Sequence, residues 1–317
     1  MQKYETKEAN EAFLLSLSLF NENLDAKEYI RKLYAISNQI KENYFVFKIP
    51  KKSGGTRTIY APNYTLKYIQ KQISEKLLKE RYISKYAKAY YKGATLKENA
   101  LVHKNKAVLL KLDIENFFEN ITFSHVYEEV FYIYPENVRV LFTNLCLYDN
   151  YLPQGAPTSP YISNIIMRDF DEKIGKWCLQ KKISYTRYSD DLTFSGDFEP
   201  NEVIKKLKEE LFKKHFKINK KKIHVIKNHS QQRVTGVVVN KKIQVSKSYR
   251  KEIRKEMYYI KRYGIKSHLE KIHSQTKPQK YLQSLSGKIA YVLMINKEDK
   301  EFQRYKQEID KIKKQEL

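Results

Sequence analysis

The sequence predicts an α+β fold, and three observations carry that expectation. Short apolar runs of β type alternate with amphipathic helical stretches. Through the middle of the chain the order is strand, helix, hairpin, helix, strand. From about residue 247 onward the chain reads as helical and very basic. Such an order suggests a split sheet covered by helices on one face.

Residues 8–20 and 26–41 read as helices that begin the chain. The segment 44–62, YFVFKIPKKSGGTRTIYAP, reads as a β-hairpin, two apolar-rich strands around a Ser-Gly-Gly turn. Leu66, Ile69, Ile73, Leu77 and Leu78 recur at helical spacing. Residues 107–112, AVLLKL, form a β-type run that ends at Asp113. Pro157 and Pro160 break the chain before a helix carrying Ile162, Ile165, Ile166, Phe170, Ile174 and Trp177. The stretch ISYTRYSDDLTFSG then reads strand, tight turn, strand. Residues 201–215 read as helix, followed by short strands near 222–226 and 234–239. Gly and Pro are scarce, and no flexible linker tract or fixed-period repeat is visible.

At 317 residues the chain can bury a large core, in two or three lobes. Its 61 Lys and Arg against 36 Asp and Glu leave a net charge of +25, more than solubility requires. Such a field attracts polyanions, of which nucleic acid is the commonest large one, and 26 tyrosines supply rings that can stack on bases. Lysine enrichment also accompanies a codon bias that favours Ile, Asn and Tyr, so charge alone does not decide. Cys146 and Cys178 lack any CxxC or CxxH context and read as free thiols in a reducing cytoplasm rather than as zinc ligands. The start, MQKYETKEAN, lacks the apolar run of a signal peptide, and no stretch approaches the roughly 20 apolar residues that span a bilayer. The expectation is a cytoplasmic protein with no membrane contact.

The chemistry concentrates at Asp190 and Asp191, which lie between two β-like runs in Tyr188-Ser189-Asp190-Asp191. An isolated Asp-Asp is more often a polar turn. Two adjacent carboxylates at a hairpin tip repel each other, however, and a divalent cation would neutralise them. Asp113, at the end of another strand, closes the site if the strands are neighbours. Three carboxylates on strand ends suit a two-magnesium phosphoryl-transfer centre, in which one ion activates the attacking 3′-hydroxyl and the other stabilises leaving pyrophosphate.

Three runs in order narrow the reading. They are Lys111-Leu112-Asp113-Ile114-Glu115-Asn116-Phe117-Phe118, Leu152-Pro153-Gln154-Gly155-Ala156-Pro157-Thr158-Ser159-Pro160, and Tyr188-Ser189-Asp190-Asp191. Together they resemble the ordered motifs of reverse transcriptases, and the middle run is highly specific. Asn99-Ala100-Leu101-Val102-His103 resembles the NAxxH signature of bacterial retron reverse transcriptases, and Val234-Thr235-Gly236 their VTG signature. The resemblance extends from about Arg57 to Ser286-Gly287-Lys288-Ile289, and departs from the family at Ser189, where alanine is usual.

The resemblance implies a right-hand polymerase with fingers, palm and thumb. By it, residues 1–43 would form an N-terminal helical segment, 44–106 the fingers and 107–122 the first part of the palm. Residues 123–157 would connect fingers and palm, 158–246 complete the palm, and 247–317 make an RNA-binding thumb. Asp113 and Asp190 would be the main metal ligands and Asp191 would complete the site. Phe118 would lie under the incoming sugar and reject a 2′-hydroxyl; alternatively it packs beside Phe117. Ile114, Gln154 and Gly155 would lie beside the nucleotide and nascent base pair. Arg57 would grip the triphosphate, or else be a strand-end surface charge. Lys222 would assist pyrophosphate departure. Asn99 and His103, spaced i,i+4, would share a helix face as RNA contacts or scaffold rather than as acid and base. Val234, Thr235, Gly236 and Lys288 would contact structured RNA, with basic helices at 247–263 and 281–296.

A retron enzyme recognises a structured non-coding RNA and primes from the 2′-hydroxyl of an internal guanosine. It copies part of that RNA into single-stranded DNA, often within an anti-phage complex with an effector protein. The expected partners are therefore that RNA, its RNA–DNA product, deoxynucleotides and a separate effector. Neither a ribonuclease H domain after the thumb nor the long extension of a group II intron enzyme, which is the enzymatic alternative, is expected. A catalytically silent RNA-binding scaffold is the other, disfavoured because all three carboxylates are intact. No GxSxG elbow, HExxH or P-loop points to a different chemistry.

Overall fold

The computed structural model describes residues 6–51 and 54–315. Two helices come first, α1 (Lys7–Ser16) and α2 (Ala26–Asn38), each opened by a side chain that accepts from a free amide: Thr6 from Ala9 and Asp25 from Glu28. The expected hairpin follows as β1 (Tyr44–Pro50) and β2 (Thr56–Pro62), in register from Tyr44↔Pro62 to Pro50↔Thr56. Gly54 and Gly55 carry its turn at positive φ; Ser53 of the expected turn lies outside the described residues, as do the termini of the expected lobes at 1–5 and 316–317. Asn63 caps α3 (Tyr64–Ile73), which runs into a single π turn at Ser74–Leu78.

Then come α4 (Leu96–Val102), β3 (Val108–Asp113), the short α5 (Phe123–His125), α6 (Glu136–Cys146) and the long α7 (Ser159–Gln180). A second hairpin, β4 (Ser184–Tyr188) and β5 (Asp191–Gly196), precedes α8 (Pro200–Phe212) and β6 (His224–Lys227). The strand expected at 234–239 is instead a tight hairpin, β7 (Arg233–Val234) and β8 (Val237–Val238). The reason is local: Thr235 and Gly236 both take positive φ, which makes a two-residue turn. Three helices finish the chain: α9 (Lys247–Lys271), broken at Gly264 where φ is 79°, α10 (Pro278–Ile295) and α11 (Lys300–Gln315).

The central sheet has strand order β4-β5-β3-β6, antiparallel throughout. Alternation along its strands separates two cores. Leu110, Leu112, Leu192, Phe194 and Tyr185 point one way into a large core with α1–α3 and α6–α8. Leu109 points the other way, into a second core built with Ala100, Val234 and the helices α9–α11. Helices therefore cover more than the single face expected: at one end of the sheet α4 and the C-terminal helices close the second face. At the other end that face carries Asp113 and Asp191, paired across β3 and β5, and stays open.

Candidate active site

The register Asp113↔Asp191 puts two carboxylates side by side at the ends of β3 and β5. Asp190 lies at the β4–β5 turn, after Ser189 in left-handed conformation at φ 61°. The Ile114 amide donates to the Asp190 carbonyl at 3.0 Å, and the Asn219 amide to the Asp113 carbonyl at 2.8 Å, so three chain segments are tied at one point. The Lys222 ammonium lies 2.7 Å from Asp113 Oδ2.

Burial, followed by the charges of Asp113 and Asp191, pushes the Asp190 carboxyl up to about 6. Burial also raises Asp191, with Lys111 opposing and Asp113 adding to the shift. The hydrogen bond to Asp113 raises Lys222. Among the described residues, no three His, Cys, Asp or Glu side chains stand close enough to hold a metal ion as they are. The donor set nonetheless fits a hard divalent cation: it is all oxygen, and the carboxylates carry a mutual repulsion that such an ion relieves. Lys222 meets part of that need from within the chain.

A cleft of about 240 Å³ opens over these groups and brings together Arg57, Asp113, Ile114, Phe118, Gln154, Asp190 and Lys222 from five separate stretches of sequence. Phe118 is half-buried with its ring 5.3 Å from that of Phe117, so it both packs and faces the cleft. Gln154 donates to Glu119 at 3.0 Å. Ile114 lines the cleft while being buried in the large core. Gly155 does not line the cleft. Its φ is 125°, and a Cβ there would stand 2.7 Å from the Tyr60 carbonyl oxygen, so the close approach it permits is to β2.

The residues expected to touch RNA divide. Asn99, His103 and Val234 are fully enclosed, a placement that suits the scaffold alternative expected for Asn99 and His103. The two His103 nitrogens lie 2.7 Å from Ser195 Oγ and 2.7 Å from Thr186 Oγ1, and Thr186 donates to Asn99 at 2.6 Å. Asn99 reaches Thr235 Oγ1 at 3.4 Å, so the β7–β8 hairpin hangs on the catalytic strands through one chain of polar contacts. Thr235 is half-buried and Gly236 exposed at its tip. Lys288 is held by Glu252 at 2.8 Å and Glu256 at 2.9 Å, so its charge is already met within the helical bundle.

Sequence reasoning missed several participants. Tyr90 lines the cleft and donates to Ser189 Oγ at 3.0 Å, giving the departure from alanine a partner. Asn219 and Lys51 also line it. Behind the turn, Arg187 and Asp171 form a fully buried ion pair. Its one available signal was Asp171 lying on the apolar stripe of α7 with Ile174 and Cys178. Both cysteines are free and buried, and burial pushes each thiol up to about 12. Among the described residues no helix is long and apolar enough to cross a membrane.

Residues 49–239 match the family described as reverse transcriptase (RNA-dependent DNA polymerase). The chain is 32% identical over 263 residues to the Retron Ec83 reverse transcriptase of Escherichia coli, covering 75% of this chain and 84% of that protein. It is 31% identical over 281 residues to the Retron Mx65 reverse transcriptase of Myxococcus xanthus, covering 82% of this chain and 63% of that protein. Among solved structures, telomerase from Candida albicans with a fragment of telomeric RNA aligns at TM-score 0.46 and 11% identity, over 90% of this chain and 68% of that one. The chain belongs to the reverse transcriptases, the RNA-directed DNA polymerases, and within them to the retron enzymes. Its fold is the α+β fold of these polymerases.

Proposed function

We propose that this polymerase recognises a cognate structured RNA and copies part of it into single-stranded DNA, leaving a branched RNA–DNA product that serves anti-phage defence with a separate effector. The observation that carries the reading is the cleft in which Asp113, Asp190, Arg57, Phe118, Gln154 and Lys222 converge, a set that between them suits templated nucleotide addition.

In this reading Asp113, Asp190 and Asp191 hold magnesium, which supplies charge neutralisation at the attacking hydroxyl and the departing pyrophosphate. Arg57, exposed at the cleft and free of ion pairs among the described residues, grips the triphosphate. Phe118 rests under the deoxyribose and leaves no room for a 2′-hydroxyl. Gln154 positions the nascent base pair, and Gly155 keeps its loop against the β1–β2 hairpin. Lys222 Nζ, once released from Asp113, gives its proton to the leaving pyrophosphate. Residues 44–106 serve as fingers, the central sheet with α7 and α8 as palm, and α9–α11 as thumb. RNA meets Thr235, Gly236 and lysines of the terminal helices that hold no ion pair among the described residues.

The test is to express the chain with its native flanking DNA, purify it, and treat the co-purifying nucleic acid with ribonuclease or deoxyribonuclease. A discrete DNA joined to RNA, absent from an Asp190→Asn, Asp191→Asn variant, is the expected result. RNA without DNA in both samples would overturn it.

A further inference from the structure

Arg187 is fully buried together with Asp171, both side chains at 0% exposure, and every arm of its guanidinium has a partner. Nε lies 2.9 Å and 3.0 Å from the two Asp171 oxygens, and Nη2 lies 2.6 Å from Asp171 Oδ2. The same Nη2 donates to Asn164 Oδ1 at 3.1 Å, and Nη1 donates to the Ser189 carbonyl at 3.1 Å. Asn164 in turn donates to the Ala89 carbonyl at 2.8 Å, and the neighbouring Tyr90 returns to Ser189 Oγ at 3.0 Å. The contacts make a closed circuit that grips Ser189 at both its carbonyl and its hydroxyl.

Ser189 is the residue immediately before Asp190 and holds a left-handed φ of 61°, a conformation a serine keeps only when its surroundings impose it. A buried ion pair is not needed for stability, since apolar residues of similar volume usually serve as well or better. Its geometry here serves another end.

We infer that Arg187, with Asp171 and Asn164, is a positioning unit that fixes the Ser189 peptide and so aims the Asp190 carboxylate. The role rests on Asp190 serving polymerisation. Only a planar fork reaches Asp171, Asn164 and Ser189 at once, so lysine keeps the charge and loses the grip. Displacement of a reacting group by about 1 Å costs on the order of 10²-fold in rate.

The test uses the full chain with oligo(dT)-primed poly(rA), magnesium and dTTP. Arg187→Met with Asp171→Leu replaces the pair by apolar volume; Arg187→Lys is the second variant, decisive if the first does not fold. In a variant whose thermal midpoint stays near wild type, kcat should fall about a hundredfold while KM for dTTP holds. Amide exchange at residues 188–191 should quicken while the rest of β4 and β5 is unchanged. Undiminished kcat in a folded variant, or an unaltered exchange rate at the turn, would overturn the positioning role. A wild-type chain that incorporates no dTTP would fault the polymerase reading instead, and the exchange measurement would still decide the role of Arg187.

Discussion

The Lys222 ammonium stands 2.7 Å from Asp113 Oδ2, so the strand-end carboxylate is met by a cation from the chain itself. The lysine side chain is 54% exposed and screened by water, whereas the Asp113 side chain is only 9% exposed. Lys222→Met should therefore cost stability modestly, on the order of 1 kcal/mol. It should lower single-turnover incorporation by about 10²-fold if its proton reaches the leaving group. Unchanged single-turnover rates would remove Lys222 from the chemistry.

Asp190→Asn should separate stability from activity in opposite directions. Burial and the neighbouring carboxylates hold Asp190 at about 6, above its unfolded value of 3.8. The charge therefore opposes folding once pH rises through that window, and the penalty is complete above about pH 6. At pH 7 the Asn variant should gain on the order of 1–3 kcal/mol without divalent ions, and with magnesium it should incorporate no nucleotide where wild type does. A lower melting midpoint in chelator would contradict this account.

His103 gives the enclosed polar chain a pH signature. Burial, with Lys106 adding to it, lowers its pKa from 6.5 to about 3. Between those values the unfolded chain takes up a proton that the folded chain refuses. Stability should fall with falling pH by about 1.4 kcal/mol per unit from this group. Comparing urea midpoints of wild type and His103→Gln at pH 7 and pH 5 should show a smaller acid loss in the variant.

Gly155→Ala places a Cβ against the Tyr60 carbonyl at a φ that L residues rarely adopt. The expected cost is about 1–3 kcal/mol. The β1–β2 hairpin should shift with it, so a raised KM for dTTP should accompany the lower midpoint. A variant with wild-type melting and KM would show that the loop yields without consequence.

The sequence disclosed most of what is local. The β1–β2 hairpin, the strand ending at Asp113 and the turn bearing Asp190 were legible because alternation, Gly pairs and acidic strand ends are short-range signals. The segment 234–239 was read as one short strand, since Thr is an unusual residue at positive φ and Gly236 alone is a weak turn signal. The segment 123–157 was read without elements, although it holds α5 and α6. Above all, Arg187 sits 16 positions from Asp171 and 23 from Asn164, and Tyr90 lies 99 positions from Ser189. Partnerships between distant polar residues leave no periodic trace, so the support behind the catalytic turn emerges only once the chain is folded.

The division into two cores has an optical consequence. The chain has a single tryptophan, Trp177, which sits on α7 and packs only against the larger core. Its emission follows the melting of the body that carries the carboxylates and is blind to the bundle of α9–α11, which contains no tryptophan. Indole fluorescence and far-ultraviolet dichroism, recorded on one sample, therefore report whether the two halves of the molecule come apart together or in turn.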